Sequence, residues 1–211
     1  MSESVTTLYL MRHGEVDEAY HRIFGGTIDM ELSATGRHQA RVLAEYVDRH
    51  RFDRIYCSPM KRARATADPI EERQGMKADI VQDLREIDFG EWTGKTWMRV
   101  AEEYQIDVFG WLDELDAGRV KGAESGQSFR DRTKAAVQQI IADNPGRKVA
   151  VVCHGGVVRA ILSALLEIPL PFFGRIDIEY ASLSVVEVSS RKHEADLINL
   201  VPWRDLVVET A

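Results

Sequence analysis

Arg12 and His13 are the residues whose types and position first suggest chemistry, because they follow an apolar run over residues 8–11. Such a run ending at charged residues and a glycine is typical of a buried strand that reaches the surface. In an open α/β sheet, ligands bind beyond the carboxyl ends of the strands. We therefore expect Arg12 and His13 to project into a crevice, where Gly14 lets the backbone approach a ligand.

The same arrangement occurs a second time. An apolar run over residues 149–153 ends at His154, which is followed by Gly155 and Gly156. One His-Gly strand end could be no more than a polar turn. Two of them favour a shared site, because neighbouring parallel strands end at the same edge of a sheet.

A third candidate is Arg62, in the first turn of a helix predicted over residues 59–72. Pro59 suits the first position of this helix, and Ser58 suits its N-cap. Arg62 and two neighbouring cations stand where the helix dipole disfavours positive charge. This placement favours an anion pocket over an ordinary solvated basic face.

These residue types suit a phosphoryl group. Arg12, Arg62 and the helix-start amides that begin at Gly155 could form a cradle for its negative charge. Phosphate monoesters hydrolyse very slowly, so an enzyme gains by transfer through a covalent intermediate. We predict His13 as the nucleophile, with its second ring nitrogen held protonated. His154 would stabilise charge in the transition state.

The leaving alkoxide needs a proton donor, and an acidic loop over residues 83–94 supplies candidates. They are Glu86, Asp88 and Glu91, and the residues alone do not choose between them. Metal-assisted hydrolysis is an alternative, because two histidines and several carboxylates could ligate an ion. No paired spacing such as His-Glu-x-x-His occurs, so we predict neither a metal nor another cofactor.

Composition limits the class of protein. The 211 residues, of which 45% are apolar and 29% charged, predict one domain spanning 1–211. A net charge of −7 argues against a nucleic-acid partner. No signal peptide or membrane span is evident, so we expect a cytoplasmic protein without membrane association. Cys57 and Cys153 are expected to be buried thiols, and nothing nearby marks Cys153 as an activated nucleophile.

The order of predicted elements indicates an α/β fold, a three-layer sandwich around a mostly parallel, mixed sheet. Strands alternate with helices, of which one is capped by Ser33 and another by Ser125 or Ser128. The last two predicted strands, residues 182–188 and 195–201, form a closing pair joined by a polar turn.

A helical insertion over the active site is predicted at about residues 93–124, where an aromatic-rich helical pattern interrupts the α/β alternation. We expect it to cover the carboxyl ends of the strands as a lid or specificity element. The aromatic residues of this pattern are Trp97, Tyr104, Phe109 and Trp111.

Taken together, the motifs resemble those of the histidine phosphatase superfamily, the phosphoglycerate mutase-like proteins. The resemblance covers most of the chain and rests on residues 10–15 (LMRHGE), 32–40 (LSATGRHQA), 58–67 (SPMKRARATA), 84–86 (LRE) with 89–94 (FGEWTG), and 154–156 (HGG). It implies a phosphohistidine at His13, a phosphate pocket of Arg12, Arg62 and His154, a proton donor at Glu86, and no metal. It also implies a three-layer α/β sandwich with an inserted helical region.

One position departs from the family pattern. Members often carry an Asn six residues after the nucleophile, where this chain has Ala19. We also expect Gly26, in the loop that follows, to lie among the substrate-binding residues with Gly155.

The length of the insertion is more similar to that of the phosphatases than to that of the mutases. We therefore expect a metal-independent phosphomonoesterase acting on a small phosphorylated metabolite. The alternatives are a phosphoglycerate mutase and a non-catalytic phosphate-binding adaptor. A homodimer is left open.

Overall fold

Six strands form one mixed sheet in this structure, a computed structural model that describes residues 4–106 and 110–206. The strands are β1 (Thr6–Arg12), β2 (Arg54–Cys57), β3 (Asp79–Ile80), β4 (Lys148–Cys153), β5 (Leu183–Val188) and β6 (His193–Leu200). Their order across the sheet is β3-β2-β4-β1-β5-β6. The first four are parallel, β5 is antiparallel to β1, and β6 is antiparallel to β5. The predicted mostly parallel, mixed sheet is confirmed.

Helices cover both faces of the sheet. They are α1 (Ala34–Val47), α2 (Lys61–Gln74), α3 (Trp97–Tyr104), α4 (Trp111–Asp116), α5 (Gly126–Asp143), α6 (Gly155–Leu166), α7 (Leu170–Phe173) and α8 (Pro202–Asp205). Among the helices of the described ranges, none has the length and apolar character that a membrane span requires.

The side chains of β1 alternate between two hydrophobic clusters. Leu8 and Leu10 belong to the cluster that contains the buried faces of α5 and α6. Tyr9 and Met11 belong to the cluster that contains those of α1 and α2. A strand directs successive side chains to opposite faces, so this division separates two helical layers. The predicted three-layer α/β sandwich is confirmed.

Helix starts follow the predicted caps in two cases. The hydroxyl of Ser33 accepts a hydrogen bond from the amide of Gly36 at 2.9 Å, at the start of α1. At α5 the cap is Ser125, which accepts from the amide of Ser128 at 3.1 Å. Each cap satisfies an amide that has no partner inside its helix.

Helix α2 is present as predicted, but its predicted start and cap are wrong. This helix begins at Lys61, two residues later than expected, and its N-cap residue Met60 makes no side-chain capping bond. Ser58 instead lies 2.7 Å from a ring nitrogen of His154. A buried imidazole needs a hydrogen-bond partner, and this contact takes the hydroxyl that the sequence alone assigns to the cap.

The region predicted as an insertion contains α3 and α4. Tyr104 packs on buried Trp92, with ring centroids 5.1 Å apart, and Trp111 packs on Phe89 at 5.6 Å. These aromatic contacts extend the core rather than line an open surface. Phe109 lies outside the described residues, and the single-domain organisation with an insertion at about 93–124 stays a prediction.

Candidate active site

The parallel pairing of β1 and β4 brings the two His-Gly segments together. Arg12 is in register with Cys153, and the amide of His13 donates to the carbonyl of Cys153 at 3.0 Å. His13 and His154 therefore leave the same edge of the sheet side by side. Their rings lie 5.2 Å apart, and both residues are buried.

The imidazole of His13 is oriented by its own loop. Its Nδ1 lies 2.8 Å from the carbonyl oxygen of Gly14, and a carbonyl can only accept, so Nδ1 carries the proton. Nε2 therefore keeps its lone pair. Burial holds the pKa of His13 well below its usual range, and the charges of Arg62 and Arg12 lower it further. The ring is neutral at neutral pH, as a nucleophile must be.

Arg62 lies between the two imidazoles. Its Nε donates to Nε2 of His13 and to Nδ1 of His154, at 3.2 Å each. Its terminal nitrogens donate to the carbonyls of Ile28 and Gly26, at 2.8 and 3.1 Å. The guanidinium is thus fixed by backbone on one side and presents its charge to the rings on the other. Contact of Gly26 with a substrate stays a prediction.

His154 is the N-cap residue of α6 and is completely buried. Because Nδ1 accepts from Arg62, Nε2 carries the proton and donates to the hydroxyl of Ser58 at 2.7 Å. Burial lowers the pKa of His154 well below its usual range, and the nearby positive charge of Arg62 acts in the same direction. The second imidazole is therefore also neutral.

Arg12 is held from the opposite side of the site. Its Nη1 donates to the carbonyl of Ile178 at 2.5 Å, and its guanidinium carbon lies 3.9 Å from the centroid of the Tyr180 ring. The Tyr180 ring also lies 5.6 Å from that of His13. Sequence reasoning missed Tyr180, since no local pattern links the segment before β5 to the end of β1.

A further cation missed by sequence reasoning is Arg159. Its Nε donates to the carbonyls of Phe173 and Ile176, at 3.0 and 3.2 Å. A Cβ built on Gly155 would lie 3.2 Å from Nη1 of Arg159 and 3.4 Å from Nε of Arg12. The spacing of four residues between Gly155 and Arg159 could have indicated this contact, because such residues share one helix face.

The three candidate acids have different surroundings. Oε2 of Glu86 accepts from the amide of Gly156 at 3.1 Å, in the first turn of α6. Asp88 accepts from the amide of Gly90, and Glu91 accepts from the hydroxyl of Tyr104, both at 2.9 Å. Of the three, Glu86 is the one in contact with the helix that follows His154.

Ala19 lies in a single helical turn, Glu18–Tyr20, and its amide donates to Asp17. The position at which many family members carry Asn is therefore part of a local turn here. A methyl side chain cannot donate a hydrogen bond to a phosphate.

Neither cysteine has the properties of a nucleophile. Cys57 and Cys153 are both buried and free. Burial raises the pKa of Cys57 to about 12, and that of Cys153 is raised for the same reason. Both therefore remain protonated thiols at neutral pH.

No group of three or more His, Cys, Asp or Glu side chains within 4–106 and 110–206 is arranged to hold a metal ion. The ring nitrogens of His13 and His154 instead contact Gly14, Arg62 and Ser58. The expectation of a metal-independent reaction stays a prediction.

Two neutral imidazoles and two arginines meet at one edge of an α/β sheet, an arrangement that suits an enzyme acting on phosphoryl groups. Residues 8–201 match the histidine phosphatase superfamily (branch 1). The chain therefore belongs to this superfamily, as its motifs indicate.

Several named relatives are phosphatases, and one is a probable phosphoglycerate mutase of Serratia proteamaculans, 30% identical over 85% of this chain and 84% of the relative. The chain is 32% identical to phosphoserine phosphatase 1 of Hydrogenobacter thermophilus over 92% of both chains. It is 30% identical to glucosyl-3-phosphoglycerate phosphatase of Mycobacterium tuberculosis, over 77% of this chain and 76% of the relative. A solved mycobacterial glucosyl-3-phosphoglycerate phosphatase in complex with VO3 superposes with a TM-score of 0.80 at 26% identity, covering 92% of this chain and 98% of that one. The predicted phosphatase activity on a small phosphate ester is confirmed.

Proposed function

We propose that this enzyme hydrolyses small phosphate monoesters through a phosphohistidine on His13, with Glu86 as the proton donor. The observation that carries the proposal is the state of His13. Its Nδ1 donates to Gly14, and its Nε2 keeps a lone pair 3.2 Å from Nε of Arg62. An anion that reaches Arg62 therefore meets the nucleophilic nitrogen directly.

In the first step, the lone pair on Nε2 of His13 forms a bond to phosphorus while the ester P–O bond breaks. The departing oxygen takes the electron pair of that bond and a proton from the carboxyl group of Glu86. Arg12 and Arg62 neutralise the charge on the phosphoryl oxygens. The phosphoryl group replaces the imidazole as the acceptor for Nε of Arg62.

In the second step, the Glu86 carboxylate removes a proton from a water molecule, which attacks phosphorus and breaks the P–N bond. His13 returns to its neutral form and phosphate leaves. We assign charge stabilisation to His154. Its Nδ1 accepts a hydrogen bond from Arg62 in the free site. His154 can therefore donate from Nδ1 to a phosphoryl oxygen only after Nδ1 has gained a proton. The bound dianionic phosphate favours uptake of that proton from solvent, and the proton returns to solvent when phosphate leaves.

The substrate class follows from the same chemistry and from the relatives. A dedicated proton donor is needed for an alkoxide leaving group, and the two relatives are named for esters of alkyl alcohols, phosphoserine and glucosyl-3-phosphoglycerate. We therefore propose a phosphorylated metabolite with an aliphatic hydroxyl as leaving group. We further propose a cytoplasmic enzyme; whether it is a homodimer is measurable by light scattering.

The test is a phosphoenzyme trap. Purified wild type mixed with ³²P-labelled substrate and quenched in alkali should retain label that is lost in acid, since a phosphoramidate is acid-labile. His13→Ala should retain no label and show no turnover. His38→Ala, which removes an exposed histidine from α1, should behave as wild type. Label on His13→Ala would show that the nucleophile is another residue.

Two further measurements separate the alternatives. A mutase would convert phosphoglycerate isomers with little phosphate release, and an adaptor would turn over no ester. Vanadate should inhibit by adopting the geometry of the transition state, and a chelator should have no effect. Activity that is lost with a chelator and restored by a divalent ion would favour metal-assisted hydrolysis.

A further inference from the structure

We propose that Arg132 is a positioning residue, which holds the loop carrying Glu86 so that its carboxyl group meets the leaving oxygen. Arg132 lies on α5 and is remote in sequence from the motifs of the site. This inference rests on the proposed function, in which Glu86 is the proton donor.

The guanidinium of Arg132 donates hydrogen bonds to three carbonyl groups of one short loop. Nη1 donates to the carbonyls of Asp83 and Arg85, at 2.7 and 2.9 Å, and Nη2 donates to that of Glu86 at 3.2 Å. Strand β3 ends at Ile80, so no sheet partner orders these carbonyls. The side chain of Arg132 thus provides hydrogen bonds that a neighbouring strand would provide if β3 continued through this loop.

A carboxylate fixes the guanidinium in turn. Nε and Nη2 of Arg132 donate to the two oxygens of Glu124, at 2.6 and 2.8 Å, and each side chain is only 10% exposed. The amide of Glu124 also donates to the carbonyl of Asp88 at 2.9 Å. The Arg132–Glu124 pair therefore holds the loop on both sides of Glu86. A bidentate pair has a defined orientation, which a lysine could not reproduce.

Two helices together determine where the Glu86 carboxylate lies. Arg132 on α5 holds the Glu86 backbone, and the amide of Gly156 on α6 holds Oε2. The amide of Ile87 also donates to Oε1 of Glu86 at 3.1 Å, but Ile87 belongs to the same loop. With the loop backbone released, the bond to Gly156 would be the one of these two that holds the carboxylate from outside the loop. Misplacement of a reacting group by about 1 Å lowers the rate by about a hundredfold.

The chain contains a matched control on the same helix. Arg130 also makes a bidentate pair, with Asp116 at 3.0 and 3.2 Å, and it donates to Gln127. Its described partners include no carbonyl of the loop that carries Glu86. Substitution of Arg130 therefore removes a bidentate ion pair of the same type, although a more exposed one, from α5 without changing the support of Glu86.

The experiment compares Arg132→Lys, Arg132→Ala, Arg130→Lys and Arg130→Ala on an alkyl phosphate and on nitrophenyl phosphate, whose leaving group needs little protonation. Both Arg132 variants should lose kcat on the alkyl ester by about tenfold to a hundredfold, with a much smaller loss on nitrophenyl phosphate. Both Arg130 variants should lose no more than about twofold on either ester. Arg132→Lys keeps the positive charge, so its difference from wild type reports on the geometry of the guanidinium group.

The following outcomes would overturn the inference. Equal losses on both esters would indicate general damage to the site. An Arg132→Lys variant with wild-type kcat would show that the orientation of the guanidinium group does not matter. Glu86→Gln is measured in parallel. If it loses equal activity on both esters, Glu86 is not the proton donor and the positioning role fails with it. If Glu86→Gln discriminates between the esters and Arg132→Lys does not, only the positioning role is wrong.

Discussion

Substitution of Gly156 by alanine should reduce catalysis without destabilising the fold. Gly156 is the second residue of α6, and its φ is not positive, so alanine fits the backbone there. A Cβ there would overlap Oε1 of Glu86 and lie 3.1 Å from the carboxyl carbon. The carboxylate has to withdraw by about 1 Å, which in a reacting group lowers the rate by about a hundredfold.

The effect on stability should have the opposite sign. Alanine is favoured over glycine inside a helix by about 1 kcal/mol, and the overlapping atoms belong to the end of a flexible side chain that can move. A gain of that size would raise the melting temperature of a chain of this length by about 2–4 °C. Differential scanning calorimetry and steady-state kinetics on the same preparation therefore give an unchanged or raised Tm together with a lower kcat.

Two controls make the test specific to Glu86. The loss should be large for an alkyl phosphate and small for nitrophenyl phosphate. The double variant Gly156→Ala with Glu86→Gln should be little slower than Glu86→Gln alone, because both changes remove the same function. Equal losses on the two esters, or additive losses in the double variant, would refute this account of Gly156.

Two further expectations concern the imidazoles. Ser58→Ala leaves the buried Nε2–H of His154 without its acceptor and should lower the free energy of unfolding by about 1–3 kcal/mol. Ser163→Ala removes a hydroxyl whose 2.7 Å bond is exposed, and should cost less in the same denaturant titration. Burial holds the pKa of His13 and His154 below 6.5, so both take up protons mainly after unfolding. The free energy of unfolding should therefore fall as the pH falls below about 6.5, more steeply in wild type than in His13→Ala, and a slope independent of this substitution would contradict it.

Local patterns sufficed for much of the fold. The apolar runs before Arg12 and His154 predicted β1 and β4, and β1 and β4 lie side by side and parallel as expected. Ser33 capped α1 as expected because capping is a contact over three residues. Ser58 failed as a cap because a residue far away in sequence, His154, takes its hydroxyl.

Long-range contacts explain what sequence reasoning could not decide about the acids. Glu86, Asp88 and Glu91 are chemically equivalent in the sequence, and residues alone left the proton donor open. They differ only through partners brought by the fold, of which Gly156 for Glu86 and Tyr104 for Glu91 are examples. The role of Glu86 itself stays a proposal.

The sequence by itself determined the chemistry that is available: a histidine beside an arginine at a strand end, a second histidine before a glycine pair, and an arginine at a helix start. Only the tertiary structure decided the protonation and orientation of these groups. Burial and neighbouring guanidinium groups make His13 and His154 neutral, and Arg132 connects α5 to the Glu86 loop across 46 positions of sequence. Desolvation and long-range hydrogen bonds depend on residues that meet only in the folded chain, so no local pattern contains them.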